Sequence, residues 1–310
     1  MNFEINPFLE KYYSSDEKII LACSTGVDSM FLLYHLLKSS YKSNLVVCYF
    51  NHKTRTQCDE EESFLIKLWI KEGFQVEVAE CDFKKIQKLY PSKSFEELAR
   101  EKRYQFFEAV CNIYKTNKIL TAHHLDDRIE TMIFHMLRGT KLTGLINMTE
   151  ASGGILRPLL RVEKSEILEY LQENHLKYFE DESNASNDYT RNFIRNEILP
   201  KFGEVHPEHK KNLQNLLTHF EEIKSHLDTE VQNFLWDKKS FSISEFHSLT
   251  SLLQKEIIRY IYYTSNNNST IGLSERNIEE VLRFIRGKNN KTKKEIHRMN
   301  LFKDGDVINF

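Results

Sequence analysis

Two short stretches hold residues whose types and spacing suit chemistry on a phosphorylated substrate. The first is Cys23-Ser24-Thr25-Gly26-Val27-Asp28-Ser29. The apolar run Lys18-Ile19-Ile20-Leu21-Ala22 before it reads as a buried strand, and Met30 to Leu37 after it reads as a helix. Small and hydroxyl residues at a strand-to-helix turn leave backbone N–H groups free, and with the positive end of the helix dipole these make an anion site. Ser24, Thr25 and Ser29 add hydroxyl donors; Gly26 and Val27 offer backbone. Asp28 is the odd member, because a carboxylate beside a phosphate repels it unless a cation lies between. That favours a nucleotide bound with Mg²⁺ and makes Asp28 the candidate metal ligand. The same residues also read as an ordinary Ser/Thr-capped helix after a strand. They match neither the Walker loop nor the Gly-x-Gly-x-x-Gly fingerprint. Threonine disfavours positive φ, so Thr25 is expected in a conformation that an L-residue tolerates.

The second stretch is Thr121-Ala122-His123-His124-Leu125-Asp126-Asp127-Arg128-Ile129-Glu130-Thr131. On a helix starting near His124, Asp127 and Glu130 share a face at i,i+3 and Asp126 and Glu130 at i,i+4. Early carboxylates complement a helix dipole, but two adjacent histidines before three carboxylates exceed what capping needs. His and Asp also ligate metals, yet no second His/Cys cluster completes a zinc set.

The elements that must position these stretches alternate. Asn44 to Phe50 reads as strand, Glu60 to Glu72 as helix, Phe74 to Val78 as strand and Ser94 to Lys115 as a long helix capped by Ser94. Lys118 to Ala122 reads as strand and Asp126 to Leu137 as helix. Such alternation predicts an α/β fold, a parallel sheet with helices on both faces. Ligands bind such sheets at the carboxyl ends of strands, where the Ser24–Ser29 loop and His123-His124 should meet. From about Glu204 the pattern changes to long helices, Pro207 to Trp236 and Ser244 to Tyr263. A strand-like tail, Lys291 to Phe310, surrounds the turn Lys303-Asp304-Gly305-Asp306. The expected domains are 1–203, catalytic, and 204–310, a mostly helical second domain with a short β tail.

The chain has 310 residues, 43 basic against 45 acidic, for a net charge of −2. That total does not advertise a nucleic-acid binder, though local patches decide such binding. No run approaches the roughly 18 apolar residues of a membrane span. The start, with Glu4 and Glu10, lacks a signal-peptide pattern. The cysteines, Cys23, Cys48, Cys58, Cys81 and Cys111, form no Cys-x-x-Cys pair, which argues against a disulfide scaffold and for a reducing, cytoplasmic setting. Four of them fall in predicted strands or helices; Cys58 falls in a predicted loop.

Ser24 to Ser29 resembles the PP-loop, Ser-Gly-Gly-x-Asp-Ser, of enzymes that split ATP into AMP and pyrophosphate, with Thr25 replacing the usual second-position Gly. His123-His124-Leu125-Asp126-Asp127 with Glu130-Thr131 is similar to the second motif of PP-loop enzymes that modify tRNA. In order there are also Asn51-His52-Lys53-Thr54-Arg55, Glu97 to Tyr104, Arg138-Gly139-Thr140, Gly144-Leu145, Met148 and Arg157-Pro158-Leu159-Leu160. Then come Asp181-Glu182-Ser183-Asn184, Tyr189-Thr190-Arg191-Asn192, Ile194-Arg195 and Ile198-Leu199-Pro200. The series, over roughly 18 to 200, resembles the tRNA(Ile)-lysidine synthetase family of the PP-loop (N-type ATP pyrophosphatase) superfamily. The chain looks too short for the additional C-terminal domain of longer members.

The resemblance implies an enzyme, a ligase joining L-lysine to the wobble cytidine of an isoleucine tRNA with a CAU anticodon. ATP adenylates the C2 oxygen, releasing pyrophosphate; the lysine ε-amine attacks C2 and expels AMP. The implied ATP site is Ser24, Thr25, Gly26, Val27, Asp28 and Ser29, with Mg²⁺ on Asp28. The implied catalytic residues are Asp28, Asp127 and Glu130. Arg100, Asp126, Asp127 and Glu130 would bind lysine, with Arg103 more readily a solvated helix position than Arg100. Arg138, Arg191 and Arg195 would meet tRNA, beside aromatic Tyr189 and Phe193. Each of these arginines also reads as an amphipathic surface position. His52 reads equally as a structural hydrogen-bonder. A homodimer and a monomer both stay open. The alternatives are a tRNA thiolase of the same superfamily, for which Cys58 is the available thiol, a non-catalytic ATP/RNA-binding module, and an ammonia-using synthetase that would need a glutaminase partner.

Overall fold

The computed structural model describes residues 3–53, 57–81, 83–146, 148–180 and 190–310. Thr54-Arg55, Asp181-Glu182-Ser183-Asn184 and Tyr189 of the motif series lie outside the described residues. The chain divides into two compact units, Met1–Leu217 and Thr218–Phe310.

In the first unit α1 (Asn6–Tyr12) leads to β1 (Ile19–Cys23), α2 (Val27–Leu37), β2 (Leu45–Asn51), α3 (Gln57–Glu72) and β3 (Gln75–Glu80). Then come α4 (Phe83–Leu89), α5 (Phe95–Ile113), β4 (Ile119–Leu120), α6 (Leu125–Leu137) and α7 (Leu142–Leu145). A hairpin of β5 (Ala151–Ser152) and β6 (Ile155–Leu156) turns at Gly153 and Gly154, both at positive φ, and α8 (Lys164–Glu173) follows. The sheet order is β3-β2-β1-β4-β6-β5, parallel except for β5 on β6.

Alternating side chains separate the two faces of the sheet. Ile19, Leu21, Cys23, Val47 and Tyr49 pack with α1, α2, α3 and α8, whereas Ile20, Val46 and Cys48 pack with Phe107 and Val110 of α5. Helices therefore cover both faces, as the alternation of elements predicts. β4 lends only two residues to the ladder, but Ile119 and Leu120 are buried. At about 2 kcal/mol per buried side chain against about 1 kcal/mol per net hydrogen bond, packing rather than pairing fixes it. β1 and β4 are neighbours, and the chain winds outward from them in opposite directions, so the crevice opens at their carboxyl ends.

After residue 189 a short α9 (Thr190–Phe193) widens into a π-helical turn, Ile194–Ile198, before α10 (Leu199–Val205). Leu199 N–H bonds to Ile194 O, five residues back. Pro200 follows, with no N–H to offer and a ring that crowds the preceding turn, so the wider turn accommodates it.

Helix α11 (His209–Leu235) runs from the first unit into the second, which adds β7 (Ser240–Ser242), α12 (Ile243–Ser248), α13 (Ser251–Ser265) and α14 (Glu275–Arg286). A four-stranded antiparallel sheet closes it, in the order β7-β10-β9-β8, from β8 (Thr292–Ile296), β9 (Met299–Asp304) and β10 (Val307–Asn309). The single helix expected over 244–263 is two helices. Thr250 breaks it by capping α13, its hydroxyl accepting from Leu253 N–H at 3.3 Å.

Candidate active site

The loop between β1 and α2 is built on a strained residue. Thr25 lies at φ 62°, against the expectation that a threonine there would avoid positive φ. Its surroundings impose the conformation. The side chain is fully buried, its hydroxyl donates to Ser24 O, and its own carbonyl accepts from Phe179 N–H at 3.0 Å. Ser29 is buried too; its hydroxyl donates to Gly26 O at 3.0 Å and accepts from Ser24 N–H at 3.2 Å. Gly26 caps α2 in an extended conformation and Val27 begins it, which leaves the first N–H groups of the helix directed at the crevice. Ser24 is exposed at its rim.

Across the crevice, α6 begins at the end of β4. His124 caps it, with its N–H on Asp127 Oδ2 at 3.0 Å. The buried His124 ring lies among three carboxylates: Nε2 is 3.4 Å from Asp127 Oδ2 and 3.6 Å from Asp28 Oδ1, and Nδ1 is 3.7 Å from Asp126 Oδ2. The loop and the second motif thus meet through Asp28, His124 and Asp127.

Each carboxylate carries a cation of the chain. Lys164 Nζ lies 2.6 Å from Asp28 Oδ1. Lys210 Nζ lies 2.5 Å from Asp126 Oδ1, and Lys164 N–H, at the start of α8, donates to Asp126 Oδ2 at 2.9 Å. Arg195, placed by the π turn, forks onto Glu130 at 2.6 and 2.8 Å and reaches Asp127 Oδ1 at 3.1 Å. Burial works to raise the Asp126 carboxyl, but the Lys210 ammonium and the Lys164 N–H outweigh it and hold it below the usual range. Burial dominates at Glu130 and keeps it above the usual range even with Arg195 upon it. Arg195 itself is raised by that hydrogen bond.

Arg195 therefore sits inside the carboxylate cluster. Arg138 and Arg191 lie elsewhere, exposed, with guanidinium carbons 5.1 and 5.8 Å from the same Phe134 ring centroid. Phe193, Met136 and Leu137 are exposed nearby in the chain. Arg100 is exposed and stacked on Tyr104, 4.8 Å from its ring centroid. Arg103, expected to be the more solvated of the pair, is half-buried, and burial lowers its pKa. His52 packs on the rings of Phe50 and Phe83 at 5.0 and 5.4 Å. Asn51, buried, closes the turn after β2 by accepting from Lys53 N–H at 2.9 Å. Cys58 is not in a loop; it is buried in the first turn of α3.

Lys164 and Lys210 are the residues of this cluster that the motifs do not single out. Among the described residues no three His, Cys, Asp or Glu side chains form a metal-ligand set. The chemistry of Asp28 suits Mg²⁺ nonetheless, because Mg²⁺ takes one or two carboxylates and completes its shell with phosphate and water.

A family model described as the PP-loop domain matches residues 1–202. A Staphylococcus aureus tRNA(Ile)-lysidine synthase is 36% identical over 238 residues, 74% of this chain and 53% of that protein. A Streptococcus sanguinis tRNA(Ile)-lysidine synthase is 33% identical over 293 residues, 91% of this chain and 62% of that protein. The chain thus spans about half to three-fifths of the length of these curated relatives. Among solved structures, the U34-tRNA thiolase NcsA from Methanococcus maripaludis superposes with a TM-score of 0.55 over 69% of this chain and 74% of that one, at 18% identity, which speaks to the fold alone. With the motif-bearing loop, the crevice it opens on and the family match all falling within the first unit, the chain belongs to the PP-loop family.

Proposed function

We propose that this chain ligates L-lysine to the wobble cytidine of an isoleucine tRNA, using ATP. The observation that carries the reading is the meeting of an anion loop and a carboxylate cluster at the ends of β1 and β4, through Asp28, His124 and Asp127. The names of the relatives support the choice of substrate.

In the first step the cytidine C2 oxygen attacks the α-phosphorus of ATP and pyrophosphate leaves. Ser24, Thr25, Gly26, Val27 and Ser29 cradle the leaving charge, with α2 aimed at it. Asp28 would hold Mg²⁺, which supplies charge neutralisation between carboxylate and phosphates. In the second step the ε-amine of lysine attacks C2, the C2–O bond breaks and AMP leaves. Free lysine is protonated at neutral pH, with a pKa of about 10.4. Asp126 and Asp127 face the ammonium and the proton it loses, and Glu130, held by Arg195 through both oxygens, keeps that guanidinium in place beside them. Arg138 and Arg191 on Phe134 offer tRNA a cationic, stackable surface.

Mass spectrometry of the wobble nucleoside, after incubating tRNA with ATP and lysine, tests the reading. Lysidine is the expected product, and Asp28→Asn should stop AMP release while the protein stays folded. Unmodified cytidine with wild-type protein, or wild-type rates of AMP release from Asp28→Asn, overturns the reading or the role of Asp28 respectively.

A further inference from the structure

Lys164 touches both motifs at once. Its Nζ lies 2.6 Å from Asp28 Oδ1, just after the loop between β1 and α2, and its N–H donates to Asp126 Oδ2 at 2.9 Å in the first turn of α6. These contacts span 136 and 38 residues of chain, so no local turn imposes them.

The backbone that carries Lys164 is fixed from several sides. Val162 O, two residues earlier, accepts from Leu125 N–H at 2.9 Å. Glu163 caps α8 and donates its N–H to Glu166 Oε2 at 2.9 Å. Ile167 and Leu171 of the same helix are buried in one core with Phe31 and Leu32 of α2. The side chain is held differently. It is 33% exposed and that of Asp28 29%, so the pair opens on solvent and a ligand can reach it. A flexible four-carbon stem lets the ammonium pivot while its base stays in place.

Asp28 stands in the first turn of α2, behind the anion loop. A carboxylate there repels the phosphates that the loop attracts, and a cation between the two turns repulsion into a bridge. Lys164 is such a cation and is part of the chain. An ammonium has three N–H donors and no acceptor; one donor serves Asp28, which leaves two for phosphate oxygens. The near contacts of the Asp28 carboxylate, Lys164 and His124, both fall on Oδ1, which leaves Oδ2 to a metal ion.

We propose that Lys164 is a phosphate ligand of the adenylation step, its ammonium bridging Asp28 and the triphosphate of ATP. As pyrophosphate leaves, charge builds on its oxygens, and a donor already held at the loop needs no reorganisation to meet it. The N–H of the same residue on Asp126 keeps that donor in register with the carboxylates of α6. This assignment rests on the ATP-using reading and adds to its phosphate site a residue from outside the loop.

The test measures binding of ATP and of adenosine, which lacks the phosphates, to the full chain by isothermal titration, with Mg²⁺ and with EDTA. Lys164→Gln should weaken ATP about ten-fold or more in both conditions, the loss of a charge-assisted hydrogen bond, and leave adenosine within about two-fold. Lys164→Met, which removes the charge and keeps an unbranched stem, should act in the same direction. Adenosine binding also reports that each variant is folded. Equal weakening of ATP and adenosine would mean that Lys164 only shapes the loop, and overturns the assignment. Unchanged ATP affinity in both variants overturns it as well. So does tighter ATP binding with Mg²⁺, which would make the ammonium a competitor of the metal at Asp28. Wild-type protein that binds no ATP overturns the ATP-using reading and the assignment with it. Wild-type protein that binds ATP and forms lysidine, while both variants match it in ATP affinity, overturns only the role of Lys164.

Discussion

Arg195 holds Glu130 by both oxygens, Nε to Oε1 at 2.6 Å and Nη2 to Oε2 at 2.8 Å. Glu130 is only 2% exposed, so the fork is what makes a carboxylate tolerable there. Removing the guanidinium strands a buried charge. Arg195→Ala should destabilise the protein by about 3 kcal/mol, the low end for a buried pair because Arg195 keeps partial solvent access. Adding Glu130→Gln should recover part of that loss. Denaturant midpoints of the four proteins check the cycle; strictly additive single losses would mean that the pair is not coupled.

Thr25 gives a second prediction. A β-branched residue in the left-handed region costs about 1–2 kcal/mol, and glycine occupies it freely. Thr25→Gly trades that relief against lost side-chain burial and greater chain entropy, so its stability should stay within about 1 kcal/mol of wild type. Thr25→Val keeps the strain and loses the hydroxyl bond to Ser24 O, and should cost about 1–2 kcal/mol. Equal losses in the two variants would show that the hydroxyl does not hold the turn.

The loop, the parallel sheet and the α6 carboxylates were legible because each depends on local pattern. Strand-helix alternation, a hydroxyl-rich turn and i,i+3 spacing are all properties of a few consecutive residues. The partners of those carboxylates were not. Lys164 and Lys210 reach Asp28 and Asp126 from 136 residues away and from a distant helix, and nothing in their neighbours announces it. Arg195 looks like a surface arginine on a 3.6-residue helix and turns inward because Pro200 forces a wider turn. Arg100 and Arg103 were placed by helical spacing alone, which cannot say which face of α5 meets the sheet. Cys58 was misplaced because the apolar spacing that marks α3 begins only at Phe64, which put the start of the helix at Glu60.

His35 predicts the acid behaviour of the first unit. Its ring packs against Phe3, Phe31 and Tyr170, and burial, with some help from Lys38, pushes its pKa down to about 4. A base depressed on folding binds more protons when unfolded, so stability is full above about pH 6.5 and is lost as pH falls toward 4. His35→Phe should flatten the part of the urea-midpoint slope between pH 7 and pH 5 that this site supplies. An unchanged slope would assign the acid sensitivity to other groups, of which His123 is the first to test by His123→Gln.

Arg138 and Arg191 form one exposed cationic patch, because both lie over the Phe134 ring. If phosphate sits on them, each releases counterions when RNA binds, and affinity falls linearly on a log–log salt plot. The double variant Arg138→Gln with Arg191→Gln should then weaken tRNA binding and make that slope shallower by about 1–2. ATP-dependent steps at the loop should keep their rates at saturating tRNA, since the Asp28–His124–Asp127 junction is untouched. A filter-binding series from low to moderate salt separates the outcomes. A weaker but parallel line would mean that the arginines stack on bases without meeting phosphate, and coincident lines would leave Phe134 and its arginines as a self-contained surface cluster.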